Sequence, residues 1–369
     1  MSEESLTSSE YVSQQLANPG TLNRTERWWP PQQKALEDRG YMLRPRYHAD
    51  WTPSWKGTKK EHTNFEDGQF AVYTDTVLDA TRMSDQALVV LKRVVPPLGE
   101  DELAIIQHLS TEPLLSDSRN RCVRLLDVVE LPNGEKFMVL PLLHPWRTPK
   151  FQTFGEVIAF FDQILEAVHF LHDHNIAHRD CTNNNIMYDP APMYPIPAHP
   201  FKLTRRRDWK ARVSHYTRTQ KPPKYYLIDF DLARRYDPED GTPLELPLMG
   251  GDKSAPEHRN MDKACDPFAT DVYYVGNLMR ERFVQKYHGF KFLKPLLADM
   301  CCEDPSKRPE IGEAVARFKG LRQGISAWKL RSRIVSRKEF AVVGLFCAAG
   351  HVYRTARDIA TRKVAIPDP

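Results

Sequence analysis

Residues 174–187 read HNIAHRDCTNNNIM. An acid, Asp180, follows His178 and Arg179, and the asparagines 183–185 come directly after Thr182. Just upstream, FGEVIAFFDQILEAVHFLHDHN places Phe161, Ile164, Leu165, Val168, Leu171 and His172 on one stripe, the apolar face of a long buried helix. A loop of charges and amides behind such a helix is open to three readings: a metal cluster, a solvated turn or an active site. His172, His174 and His178 tempt the metal reading. Against it, His172 lies on the core stripe and no further ligands cluster nearby.

The order of motifs along the chain separates these readings. Downstream, YYLIDFDLARR is an apolar strand ending in Asp229-Phe230. Then come SAPEH (Ala255-Pro256-Glu257), TDVYYVGNLM and MCCEDPSKRPEIGEA; upstream stand LVVLKRV and EDELAIIQHL. In this order, over roughly residues 76–320, the chain resembles the eukaryotic protein kinase family. The resemblance implies an α+β, bilobal protein kinase-like fold, with a β-rich N-lobe carrying one helix and an α-helical C-lobe.

The local patterns agree with that layout. FAVYTDTVLDATR, QALVVLKRVV, CVRLLDVVEL and KFMVLPLL read as strands, the last two joined by a Pro132-Asn133-Gly134 turn. Strands come first and helices after. The expected division is an N-terminal extension at 1–40, partly disordered, an N-lobe at 41–143, a C-lobe at 144–320 and a C-terminal extension at 321–369. A basic insert interrupts the C-lobe at about 190–224. From Phe201 to Lys224 it holds nine basic residues and one acid, Asp208, and reads as substrate dock, nucleic-acid contact or plain surface.

Moving a terminal phosphoryl group demands positioning, cations on the phosphates and an acceptor oxygen held in line. Carboxylate and carboxamide oxygens are hard ligands suited to Mg²⁺. The resemblance assigns that metal to Asn185 and Asp229, and makes Asp180 the base that accepts or orients the substrate hydroxyl. It gives Lys92 to the α- and β-phosphates of ATP, with Glu102 as its ion-pair partner. Taken alone, a Lys in LVVLKRV is only an edge-strand charge. Only nine residues separate Lys92 from Glu102, so the helix carrying Glu102 is expected to be short or to lack its first turn. Leu140, Leu142 and Leu143 are the expected adenine contacts, Leu140 at the gatekeeper position. Ile106, Leu125, His178 and Phe230 fall where the family stacks an apolar column. Glu257 with Arg308 matches a buried ion pair, and Asp271 matches the carboxylate that braces the catalytic loop.

Four features depart from the family pattern. The three expected glycines of a phosphate loop fall on Phe70, Val72 and Asp75, with Gly68 the nearest glycine. Asp231 stands where a Gly would give conformational freedom. Thr182 replaces the Lys that steadies the transferred phosphate in Ser/Thr kinases, and Gly250 stands where a Thr is expected. In ARRYDPEDGTPLELPLMGGDK, residues 233–253, Thr242 is the hydroxyl candidate for phosphorylation. Arg179 would pair with that phosphate or with one of Asp237, Glu239 and Asp240.

Composition narrows the partners. The 52 basic and 48 acidic residues nearly cancel, which makes no general case for nucleic acid or an acidic surface. The six cysteines show no zinc-type spacing, MSEESLTSSE lacks the regions of a secretory leader, and FAVVGLFCAAG is too short to span a bilayer. These readings predict an intracellular protein, cytoplasmic or nuclear, with free thiols and no transmembrane segment. The tail is expected to pack back as a helix, with reversible membrane contact as an alternative. The implied activity is transfer of the ATP γ-phosphate to a protein substrate, of Ser/Thr type. The alternatives are a pseudokinase acting as a binding or scaffolding module, and a kinase-fold enzyme acting on a small molecule.

Overall fold

Alternation within LVVLKR explains how a lysine sits in an apolar strand. In the computed structural model, which describes residues 18–69, 75–248 and 250–369, Val89 and Leu91 are buried on one face of this strand. Val90 and Lys92 therefore occupy the other face. Of the expected phosphate-loop positions, Phe70 and Val72 lie outside the described residues.

In chain order, helix α1 (Gln33–Asp38) precedes strands β1 (Tyr41–Met42), β2 (Val77–Arg82) and β3 (Leu88–Arg93). Helix α2 (Leu98–Leu109) leads to β4 (Asp127–Glu130), β5 (Lys136–Pro141) and β6 (His144–Pro145). The long α3 (Phe154–Asp173) is followed by β7 (Ile176–Ala177), β8 (Ile186–Tyr188), β9 (Ala198–His199) and β10 (Lys202–Arg206). After β11 (Tyr225–Leu227) and β12 (Arg234–Arg235) come α4 (Pro267–Met279), α5 (Lys294–Met300) and α6 (Ile311–Gln323). Helices α7 (Ala327–Arg331) and α8 (Ala341–Ala360) close the series. The fold is α+β, strands first and helices after, compatible with a bilobal kinase-like fold.

The chain forms two compact units. The first comprises Met1–Pro96, Leu125–Leu142 and Tyr194–Ser214; the second comprises Pro97–Arg124, Leu143–Met193 and His215–Pro369. Within the first, an antiparallel sheet of order β1-β2-β3-β5-β4 places Lys92 opposite Val77 on one side and Met138 on the other. Trp29 and Leu36 are buried in this unit's core with Phe137, so α1 and the tryptophan before it belong to the packed body. Residues 18–25 belong to the stretch 1–40 expected as a partly disordered extension. They are instead held by Arg46, whose fully buried guanidinium pairs with Glu26 at 2.7 Å and donates to the carbonyls of Pro19 and Thr21.

The basic insert is shared between the units and much of its charge is engaged. In the first unit, Trp209 donates to the Asn64 carbonyl at 2.7 Å, Arg207 to that of Gln86 at 3.3 Å, and His199 bonds Glu66 at 3.0 Å. In the second, buried Arg218 donates to the carbonyls of Trp146 and Pro149 and lies over the Phe151 ring at 4.2 Å. Thr219 bonds Glu156, whose carboxylate also completes the capping box that starts α3 at Thr153. Arg218 thus acts as a staple through backbone carbonyls and an aromatic face.

In the second unit, α3 buries its stripe and packs against α4, α6 and β11. Gly276 on α4 allows α5 to approach, since a Cβ there would meet the Met300 Cβ at 2.8 Å. Among the described residues no helix is long and apolar enough to cross a membrane.

Candidate active site

The loop between β7 and β8 gets its shape from α4. Both oxygens of Asp271, wholly buried, accept backbone N–H groups of that loop, Oδ2 from His178 and Oδ1 from Arg179, each at 2.8 Å. His172 at the end of α3 adds a bond to Oδ2 at 3.2 Å. Two adjacent N–H groups aimed at one carboxylate need an unusual turn, and Arg179 adopts φ 63° to supply it. Asp229 likewise sits at φ 66°. Such conformations cost ~1–2 kcal/mol each in a residue with a Cβ, and here the surrounding bonds hold them.

His178, wholly buried, accepts from the Asp180 N–H through Nδ1 at 3.3 Å. Its Nε2 donates to the Ile228 carbonyl at 3.1 Å, and its ring packs on Phe230 at 4.7 Å. The three histidines near the loop have different partners: His172 has Asp271, His174 the Phe170 carbonyl, His178 the Ile228 carbonyl.

Asn185 turns its amide nitrogen toward Asp180, donating to Oδ2 at 2.8 Å and to the carbonyl at 3.1 Å. Its own carbonyl accepts from Ile228 N–H, the residue before Asp229, at 3.0 Å. The catalytic-loop candidates and the strand end carrying Asp229 are therefore joined by backbone bonds. Asp180 Oδ1 is buried and accepts no hydrogen bond from the described residues. Burial pushes the Asp180 carboxyl up from its ordinary range; His178 and hydrogen bonds from Thr182 and Asn185 pull it back, while the Asp229 charge adds to the rise. Thr182, which stands where a cation was expected, donates its backbone N–H to the Asp180 carbonyl at 2.7 Å.

Glu102 is buried in the second turn of α2 and accepts the Phe230 N–H at 3.0 Å. Its helix is three turns long and keeps its first turn, because the four-residue link Val94–Pro97 absorbs the short spacing. Lys92 stands on β3, Leu140 on β5, and Leu142 and Leu143 in the chain passing from the first unit to the second. Asp231 is absent from the non-glycine residues with positive φ, so the backbone at that position carries none of the strain that a glycine would relieve.

Arg179 has a partner that the sequence did not single out. Its guanidinium meets Glu245 at 3.4 Å, not Asp237, Glu239 or Asp240. Glu245 is also held by Arg234 at 2.9 Å and by the Tyr236 hydroxyl at 3.3 Å. An isolated acid among Leu and Pro gave no signal, because four acids, Asp237, Glu239, Asp240 and Glu245, lie within nine residues there. The Glu257–Arg308 pair is bidentate, at 2.5 and 2.9 Å, and nearly solvent-free.

No protein-family model matches the chain. Over 91 residues it is 33% identical to a protein of Arabidopsis thaliana described as a serine/threonine-protein kinase-like protein. That match takes in 24% of this chain and 26% of the plant protein, so the chain spans about a quarter of that relative's length. The likeness is a hint of a kinase-like fold, and it agrees in kind with the loop geometry around Asp180.

Proposed function

We propose that the chain is a protein kinase that transfers the γ-phosphoryl group of ATP to a protein hydroxyl of Ser/Thr type. The observation that supports the reading is the buried Asp180 Oδ1, which lacks a protein donor among the described residues while Asn185 holds the other oxygen. A substrate hydroxyl would be its missing donor: the hydroxyl oxygen attacks the γ-phosphorus, ADP leaves, and the proton passes to Asp180.

The donor set also suits Mg²⁺. With its nitrogen committed to Asp180, Asn185 keeps its carboxamide oxygen for a metal, and Asp229 adds a carboxylate. These two residues would hold the ion, which when bound would offset the charge of the phosphates. Lys92 and Glu102 as the phosphate-binding pair, and Leu140, Leu142 and Leu143 as adenine contacts, belong to the same proposal.

A second reading rests on Asp231, an added negative charge two residues from Asp229. It makes the chain a kinase-like binding or scaffolding module with weak or no catalysis. Purified protein with millimolar Mg-ATP, beside Asp229→Asn, separates the two. The kinase reading expects a nucleotide-dependent rise in melting temperature and phosphate transfer, both lost in Asp229→Asn. It also expects Asp180→Asn to keep the thermal shift and lose about 10²–10⁴-fold in transfer. No thermal shift with the intact chain would sink the enzyme reading.

A further inference from the structure

Helix α8 is turned with its apolar side away from the protein. The side that meets the body is small and polar: Gly344, Ala348, His351, Thr355 and Asp358. His351 bonds the Thr355 hydroxyl at 3.2 Å, and Thr355 and Asp358 line a small cavity with Thr153, Thr219 and Arg331. Beyond the helix the chain is pinned by an Arg331 bond to the Lys363 carbonyl at 2.6 Å. It then crosses the first turn of α3 at Gly155, where any Cβ would collide with the Ala365 carbonyl.

The opposite side presents Val342, Val343, Leu345, Phe346, Val352 and Tyr353, with Leu345 72% and Phe346 76% exposed. Phe340, just before the helix, is 79% exposed. An amphipathic helix in a globular protein buries its apolar face, because apolar area removed from water is the main source of stability. A helix anchored by its polar face leaves that area for something else to cover.

The charge around the strip identifies the cover. Arg337 and Lys338 precede the helix, Arg357, Arg362 and Lys363 end it, and Arg354 stands on its flank. Of the acids in this stretch, Glu339 pairs with Arg333 at 2.6 Å, and Asp358, buried on the body side, lies 3.6 Å from Arg357, which leaves Arg337, Lys338, Arg354, Arg362 and Lys363 as further cations around the strip. An apolar strip with cations at both ends would repel a second copy brought face to face. It matches an anionic lipid surface, where apolar side chains enter the acyl boundary and Lys/Arg meet headgroup phosphates.

We propose that α8 is an in-plane anchor that seats the protein on anionic membranes, independently of any catalytic activity. The test is flotation of the full chain with vesicles of phosphatidylcholine alone or with one-third phosphatidylserine. The expected result is partition with the anionic vesicles at least about tenfold above that with neutral ones, weakening as salt rises. Phe346→Asp should lose about tenfold or more, and Arg357→Glu with Arg362→Glu several-fold, each with an unchanged melting temperature. No partition with anionic vesicles would overturn the proposal. So would partition unaffected by Phe346→Asp, or a lowered melting temperature in that variant, which would mean the ring is packed in the fold. A concentration-dependent dimer that Phe346→Asp dissolves, without vesicle binding, would assign the strip to a second copy instead.

Discussion

Glu245 lies 3.4 Å from the Arg179 guanidinium, and Arg234 grips its other oxygen at 2.9 Å. A carboxylate of the same chain thus occupies the position beside Arg179 where a phosphate on Thr242 was one of the expected partners. The segment after Asp231 is tied to the loop without modification. Glu245→Ala should therefore cost about 2 kcal/mol of stability and open residues 232–248 to limited proteolysis. Thr242→Ala should change neither. A Glu245→Ala protein as protease-resistant as wild type would remove this role.

Asp271 is the brace on which the loop depends. Asp271→Ala leaves two buried N–H groups, of His178 and Arg179, without an acceptor, and releases the φ 63° turn at Arg179. The expected loss is about 2–4 kcal/mol in denaturant unfolding. Asp271→Asn should fall between wild type and Ala, because one carboxamide oxygen can still accept while its nitrogen faces an N–H.

These two residues differ in how far the sequence revealed them. Asp271 was legible through the family resemblance, since TDVYYVGNLM matches the segment whose carboxylate braces the loop. The loop around Asp180 was legible in the same way, because His178-Arg179-Asp180 with Asn185 five residues on matches a motif of fixed short spacing. Glu245 was not legible, since nothing local distinguishes it from Asp237, Glu239 or Asp240; tertiary placement chose among them. Arg218 and Arg46 failed to stand out for the same reason. Both are buried cations satisfied largely by distant carbonyls, and a run of basic residues looks alike whether solvated or stapled.

The Glu257–Arg308 pair should give the protein a visible acid slope. Burial alone would raise the Glu257 carboxyl, but hydrogen bonds and charge from Arg308 outweigh it and hold the group below its ordinary 4.5. A depressed carboxyl contributes stability that is complete above its unfolded value and is lost as pH falls through the folded one. Unfolding free energy measured from pH 7 downward should therefore drop below about pH 4.5 more steeply in wild type than in Glu257→Gln. At pH 7, Arg308→Ala should cost about 3–5 kcal/mol, because it strands a buried carboxylate.

Asp180 is set up in the opposite sense, and the sign of its effect separates a working site from a structural one. Its carboxyl is raised above the ordinary 3.8, chiefly by burial and further by Asp229. A raised acid destabilises the fold at every pH above its folded value, and the penalty disappears as pH falls below the unfolded value. Asp180→Asn keeps an oxygen for Asn185 while removing the buried charge. It should raise the denaturation midpoint at pH 7, and the gain should shrink as the pH approaches 3.8. A residue retained for packing would show the reverse, a loss on substitution at neutral pH. A gain in stability joined to a loss of phosphate transfer is the signature of a group kept strained for chemistry.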